Sequence, residues 1–230
     1  MSKIAVFVEG CTEAEFVIKI LTALSGQRGI RIEFLRQNGG VLHFLEFRGE
    51  AASTSYALVA NCTCDGQVKS QIKDRYKDLV AAGYTKIFGL RDVYPLGRGD
   101  IPKIEAALAV GLPQGDVPID IHLAVMEIEA WFLDELTHFP RVHENLTIER
   151  IKIDGFDVVN VLGETWGHPA DTLHQIYKLE GLAYNKKKSQ IVRTIDALDA
   201  EEIYVTATAR SPTLRQFVDG LEIALFPASV

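Results

Sequence analysis

Short, wholly apolar runs alternate with stretches of helical period over residues 3–139, and this alternation limits the fold more than any other feature of the chain. Residues 3–8 (KIAVFV), 56–62 (YALVANC), 85–90 (TKIFGL) and 119–126 (IDIHLAVM) have strand length. Near-continuous apolar strands are those buried on both faces of a sheet. Residues 30–35 (IRIEFL) alternate, as a half-buried strand does. Between the runs, residues 13–24 set Phe16, Ile20, Leu21 and Leu24 on one side of a helix, and residues 67–82 do the same with Ile72, Tyr76, Leu79 and Val80. Pro102 suits the first turn of a helix over 101–110. Residues 127–139 gather Ile128, Trp131, Phe132, Leu136 and Phe139 on one helical face. Such alternation predicts an α/β fold with a largely parallel sheet flanked by helices. The glycine-rich stretch 37–54 reads as loop with some extended structure.

After residue 140 the pattern becomes helical, with helices expected over 169–181, 188–198 and 211–224 and short mixed segments over 147–153 and 156–162. The expected organisation is an α/β domain over 1–140 and a mainly helical extension over 141–230, packed on it.

Composition narrows the function classes. Apolar residues make up 47% and charged residues 24%, the balance of a globular protein. No run approaches the roughly 18 apolar residues of a membrane span, and the chain enters its first strand without a signal-peptide pattern. The expectation is a cytoplasmic protein with no membrane partner. Three cysteines, Cys11, Cys62 and Cys64, make no disulfide framework. Cys62-Thr-Cys64 also lacks the second ligand pair of a zinc site. A net charge of −7 argues against coating nucleic acid through a broad basic surface, though not against a local basic groove. No Ser-His-Asp arrangement, P-loop or GxGxxG after a strand supports serine-hydrolase, nucleotide-hydrolysing or dinucleotide chemistry.

Carboxylates stand where the strands stop. Open parallel sheets bind ligands beyond the carboxyl ends of their strands, and there the sequence delivers Glu9, Asp92, and Glu127 with Glu129. Clustered carboxylates repel unless a cation or proton joins them. Hard oxygen ligands suit Mg²⁺ or Mn²⁺, and such sites usually act on phosphates. Thr12-Glu13-Ala14-Glu15 fits a capping box, which accounts for Thr12 and Glu15 and leaves Glu13 between a dipole role and a site role. Asp134 and Glu135 are expected to be solvated. Lys186, Lys187 and Lys188 form either a solvated face or a place to hold phosphate, with Arg91, Arg98 and Lys69 as further cations.

The segments VFVEGCTEAEF, GLRDVYP and MEIEAWFLDE are similar to an uncharacterised Toprim-like family, and AYNKKKSQIVRTID and SPTLRQFVDGLE resemble its carboxyl-terminal half. That resemblance spans residues 3 to about 223. It implies a Toprim or Rossmann-like fold and an Mg²⁺- or Mn²⁺-dependent nuclease. Glu9 and Asp92 would be metal-binding catalytic acids, Glu127 and Glu129 would complete the shell, and Lys187 would hold phosphate. Asp92 would open an Asp-x-Asp motif whose second position is here Tyr94. The partners implied are DNA in preference to RNA and an AAA- or ABC-type ATPase in phage defence; self-association as a homodimer is a further expectation. The alternative is a catalytically weak or silent Toprim-like adaptor, which Tyr94 and the acidic charge favour.

Overall fold

The computed structural model describes residues 2–64 and 66–227. Among them, six strands form one sheet, β1 (Ser2–Val8), β2 (Arg31–Asn38), β3 (Val41–Gly49), β4 (Ser55–Asn61), β5 (Lys86–Asp92) and β6 (Ile119–Ala124), in the order β3-β2-β4-β1-β5-β6. β1 runs parallel to β4 and β5, and β2 parallel to β4. Only β3 is shown pairing antiparallel, against β2. Helices α1 (Cys11–Ser25), α2 (Gln67–Ala81) and α3 (Ile101–Ala109) follow β1, β4 and β5. The protein is thus an α/β fold with a mostly parallel sheet flanked by helices, as the alternation predicts.

Burial explains why the central runs are apolar without a break. Residues 4–8 of β1 are all buried, because neighbours cover both faces. On one face Phe7, Leu58, Ala60 and Ile87 join Val68, Ile72 and Leu79 of α2 in a continuous core. Burying each of the larger of these side chains, Phe7, Leu58, Ile87, Val68, Ile72 and Leu79, is worth about 1.5–3 kcal/mol relative to exposure.

Two local expectations need correction. Residues 37–54 hold a full strand: Gly39 and Gly40 both adopt positive φ, the geometry of a tight hairpin turn, so β3 folds straight back on β2. The glycines mark a turn and a strand end, not a loop. Residues 127–139 do not make one helix. α4 (Glu129–Asp134) stops, and α5 (His138–Val142) begins after a break in which the Glu135 side chain accepts the Thr137 N–H.

The described residues gather into two compact units, 2–64 and 66–91 with 99–123 and 217–227, and 92–98 with 124–216. Besides α4 and α5, the second contains α6 (Ile148–Ile153), α7 (Pro169–Lys178), α8 (Lys188–Ala197), and α9 (Ala200–Glu202) joined through a π-helical turn to α10 (Thr208–Arg210). α11 (Pro212–Leu225) begins there and ends in the first unit, where Phe217 packs edge-on to Phe88 and His122. No helix among the described residues is long and apolar enough to cross a membrane.

Candidate functional site

The first unit holds Glu9, Glu13, Lys69 and Arg91; the second holds the other site candidates. Glu9 is half-buried just beyond β1, whose last residue Val8 pairs with Leu90 of β5. Glu13 is buried and folds back over Gly10, where an added Cβ would lie 2.8 Å from its Oε2. The capping box does not form: Gly10 is the N-cap and no side chain caps it. Glu15 instead takes both arms of Arg48, at 2.5 and 3.1 Å. Arg91 has a buried Nε with no acceptor among the described residues.

In the second unit, Asp92 is buried and accepts the Ile128 N–H at 2.9 Å, tying the end of β5 to the start of α4. Tyr94 is exposed, and its backbone N–H bonds to Met126 O at 2.7 Å. Its ring stands 5.6 Å, edge-on, from that of His168. Lys187 and Lys188 are exposed where α8 begins.

Three of the predicted residues come together. Lys186 Nζ lies 3.2 Å from Glu127 Oε1 and 3.1 Å from Glu129 Oε2. The first contact is a hydrogen bond; the second is an ion pair without hydrogen-bond alignment. Glu127 Oε2 accepts the Ala170 N–H at 3.0 Å, capping α7 from another segment. Glu129 is 0% exposed, and Tyr184 donates its hydroxyl to Glu129 Oε1 at 2.7 Å. Burial pushes the Glu129 pKa up; Lys186 opposes the rise, Glu127 adds to it, and the Tyr184 hydrogen bond opposes it. Met126 and Lys186 both have left-handed backbones, φ 64° and 53°, which costs a non-glycine residue roughly 1–2 kcal/mol each.

The lysine takes the place between Glu127 and Glu129 that a metal ion was expected to fill. Crowded carboxylates do need a cation between them, and here the chain's own ammonium stands between Glu127 and Glu129. No group of three or more His, Cys, Asp or Glu side chains suited to a metal ion occurs among the described residues. The site as built does not fit Mg²⁺ or Mn²⁺, which would have to displace Lys186.

No family model matches the chain, and no curated protein matches it. Among solved structures, one from Lactobacillus plantarum WCFS1 named as a putative cell surface hydrolase superposes with a TM-score of 0.34 at 9% identity, over 100% of this chain and 93% of that one. So loose a superposition assigns neither fold family nor chemistry. The Toprim-like resemblance therefore finds no match. The readings built on it, a metal-dependent nuclease in phage defence and a silent Toprim-like adaptor, are withdrawn.

Tyr184 has no signal in the sequence that links it to Glu129, because the two stand 55 positions apart. Asp134 and Glu135 are not solvated; both are fully buried. Asp134 Oδ1 accepts from Gly163 N and Arg210 Nε, each at 2.9 Å. Glu135 accepts from Thr137 N at 2.8 Å and Asp199 N at 3.4 Å. They serve as partners for loop backbone that would otherwise be buried unpaired.

His138, also fully buried, donates through Nδ1 to the Glu135 carbonyl, and burial drives its pKa down from 6.5 to about 4. The unfolded chain then binds a proton that the fold excludes, so stability is full above pH 6.5 and drains as the pH falls toward 4. Between pH 7.5 and 4.5 the loss should be about 2–3 kcal/mol greater than in a His138→Gln variant. The raised carboxyl pKa values of Glu129, Asp134 and Glu135 act with the opposite sign, which is why the difference between proteins is the quantity to measure by urea titration. An identical pH slope in both would refute a neutral buried imidazole.

Proposed function

We propose that the second unit carries a metal-independent acid–base site, in which Glu127 and Lys186 meet a small polar substrate. The observation that supports it is the Lys186 ammonium held between Glu127 and the fully buried Glu129. Glu127 is the base that takes a proton from a bound hydroxyl or water, and Lys186 stabilises the negative charge that develops. Glu129 and Tyr184 are positioning residues behind them. The capping of α7 accounts for Glu127 as a structural group. It accounts for neither the buried Glu129 nor the strained Lys186, and strain and shifted pKa values collect at functional sites. The exposed Tyr94 and His168 rings, edge-on to each other, flank Glu127 through Met126 and Ala170 and offer an aromatic corner to a ring-bearing substrate.

The test begins with the wiring. In ¹³C NMR titrations of labelled glutamate, Lys186→Met should raise the Glu129 pKa further, and Glu127→Gln should lower it. Hydrolysis of a panel of small esters, glycosides and phosphate esters should then survive EDTA and drop at least 100-fold in either variant. Activity that needs Mn²⁺, or calorimetric Mn²⁺ binding that Glu127→Gln removes, would overturn the metal-independent reading.

A second reading, DNA as a partner, is favoured by Lys187 and Lys188 standing exposed beside Lys186. It requires a salt-sensitive gel shift that the double alanine variant loses. An ATPase partner and a cytoplasmic location belong to the same second reading, checked by co-purification and cell fractionation.

A further inference from the structure

The outer edge of the sheet exposes large apolar side chains beside its charged Glu46 and Arg48. β3 lies at the end of the strand order, so one row of its N–H and C=O groups faces away from β2. Its sequence, VLHFLEFRG, contains neither the lysine nor the proline that commonly blunts an edge. Val41, Phe44, Leu45 and Phe47 are 55%, 51%, 49% and 50% exposed.

A bulge gives this edge its symmetry. Phe34 pairs with Glu46 and Leu35 with Phe44, so Leu45 has no partner across the ladder. A regular strand would send Phe44 and Phe47, three positions apart, to opposite faces. With the extra residue between them they share a face, and their rings stand 4.8 Å apart. Arg31 stacks on Phe47 from within the same sheet, 4.1 Å from the ring centroid.

We infer that β3 pairs antiparallel with β3 of a second copy of this chain, about a two-fold axis normal to the sheet. Such an axis keeps faces and reverses direction. It can therefore set Phe44 opposite the second copy's Phe47 and Phe47 opposite its Phe44, while Leu45 meets Glu46. Four rings then form one cluster across the axis, and the open backbone groups are paired. An isologous interface requires this self-matching, and the shared face of the two phenylalanines supplies it.

The area is of the right order. A large aromatic side chain offers about 150–250 Å², so covering the exposed halves of Phe44 and Phe47 hides roughly 200 Å² per copy, and the smaller Val41 and Leu45 bring the total to somewhat under about 400 Å². That is a little under half of the ~800 Å² per partner of a standard interface, and backbone pairing along β3 adds to it. The expected result is a weak dimer, with a dissociation constant in the micromolar range.

Sedimentation equilibrium of the full chain from about 1 to 100 µM should show monomer–dimer exchange. Phe44→Glu and Phe47→Glu, at half-exposed positions, should each weaken dimerisation at least tenfold while leaving the far-ultraviolet spectrum of the monomer unchanged. As a check independent of those charges, Leu45→Cys in a Cys64→Ser background should form a disulfide-linked dimer on mild oxidation. A protein that stays monomeric at 100 µM would overturn the proposal, as would a dimer indifferent to both glutamates or a failure of Leu45→Cys to cross-link.

Discussion

Replacing Arg210 with alanine should cost about 3–5 kcal/mol of folding free energy, measured by urea unfolding at neutral pH. Arg210 Nε meets the buried Asp134 at 2.9 Å, and its other two nitrogens reach the carbonyls of Val158, Val159 and Val161 at 2.7–3.3 Å. An ion pair on the surface would be worth at most about 1 kcal/mol. Here the cost comes from what is left behind: a fully buried carboxylate that keeps only the Gly163 N–H as a partner, and three carbonyls that lose their donor. Adding Asp134→Asn to Arg210→Ala should recover part of the loss, because the stranded charge is gone. A loss under 1 kcal/mol in the single variant would show that Asp134 takes up a proton or water at little cost.

Gly163→Ala should be as damaging by a different route. A Cβ at this position would stand 1.8 Å from the carbonyl oxygen of Ala130 and 2.7 Å from its carbon. The obstruction is backbone in the first turn of α4, not a side-chain tip that can swing aside. The 163–165 turn must therefore lift away, breaking the Gly163–Asp134 hydrogen bond as it goes. Overpacking usually costs about 1–3 kcal/mol, and a backbone collision belongs at or beyond the top of that range, about 4 kcal/mol. Gly167→Ala is the matched control, since nothing lies within 4 Å of its added Cβ. It should fall within about 1 kcal/mol of wild type. Equal stability of the two variants would refute close contact between the turn and α4.

The apolar runs 3–8, 56–62, 85–90 and 119–126 disclosed their strands because burial on both faces leaves its mark on every residue. β3 carries no such mark: as an edge strand it exposes Phe44, Leu45 and Phe47 and buries Leu42, and its flanking glycines suggested a loop. The helix read over 127–139 failed for a related reason, since its apolar spacing persists across a break made by Glu135 accepting Thr137. Electrostatic reasoning marks Glu127 and Glu129 as acids in need of a cation. It could not tell a metal ion from Lys186, which lies 57 residues beyond Glu129 and reaches back to it through a left-handed backbone. Asp134 and Glu135 looked solvated because their partners, Gly163, Arg210 and Asp199, come from distant loops.

The chain leaves the first unit after Arg91, returns at Gly99, leaves again after Leu123 and comes back for good only at Phe217. On a ribosome, β5 and β6 thus emerge long before the phenylalanine that packs against Phe88 and His122, and before the Ala224 carbonyl that accepts the Ser2 hydroxyl at 2.6 Å. β1 must wait for Ala224 to be made before this hydrogen bond closes. The second unit, by contrast, is drawn mainly from one continuous stretch and can gather while its neighbour is still incomplete. Vectorial synthesis therefore leaves this sheet open until residues 217–224 emerge, and a chain stopped short of Phe217 would expose Phe88 and His122 to whatever chaperone or neighbour meets it first.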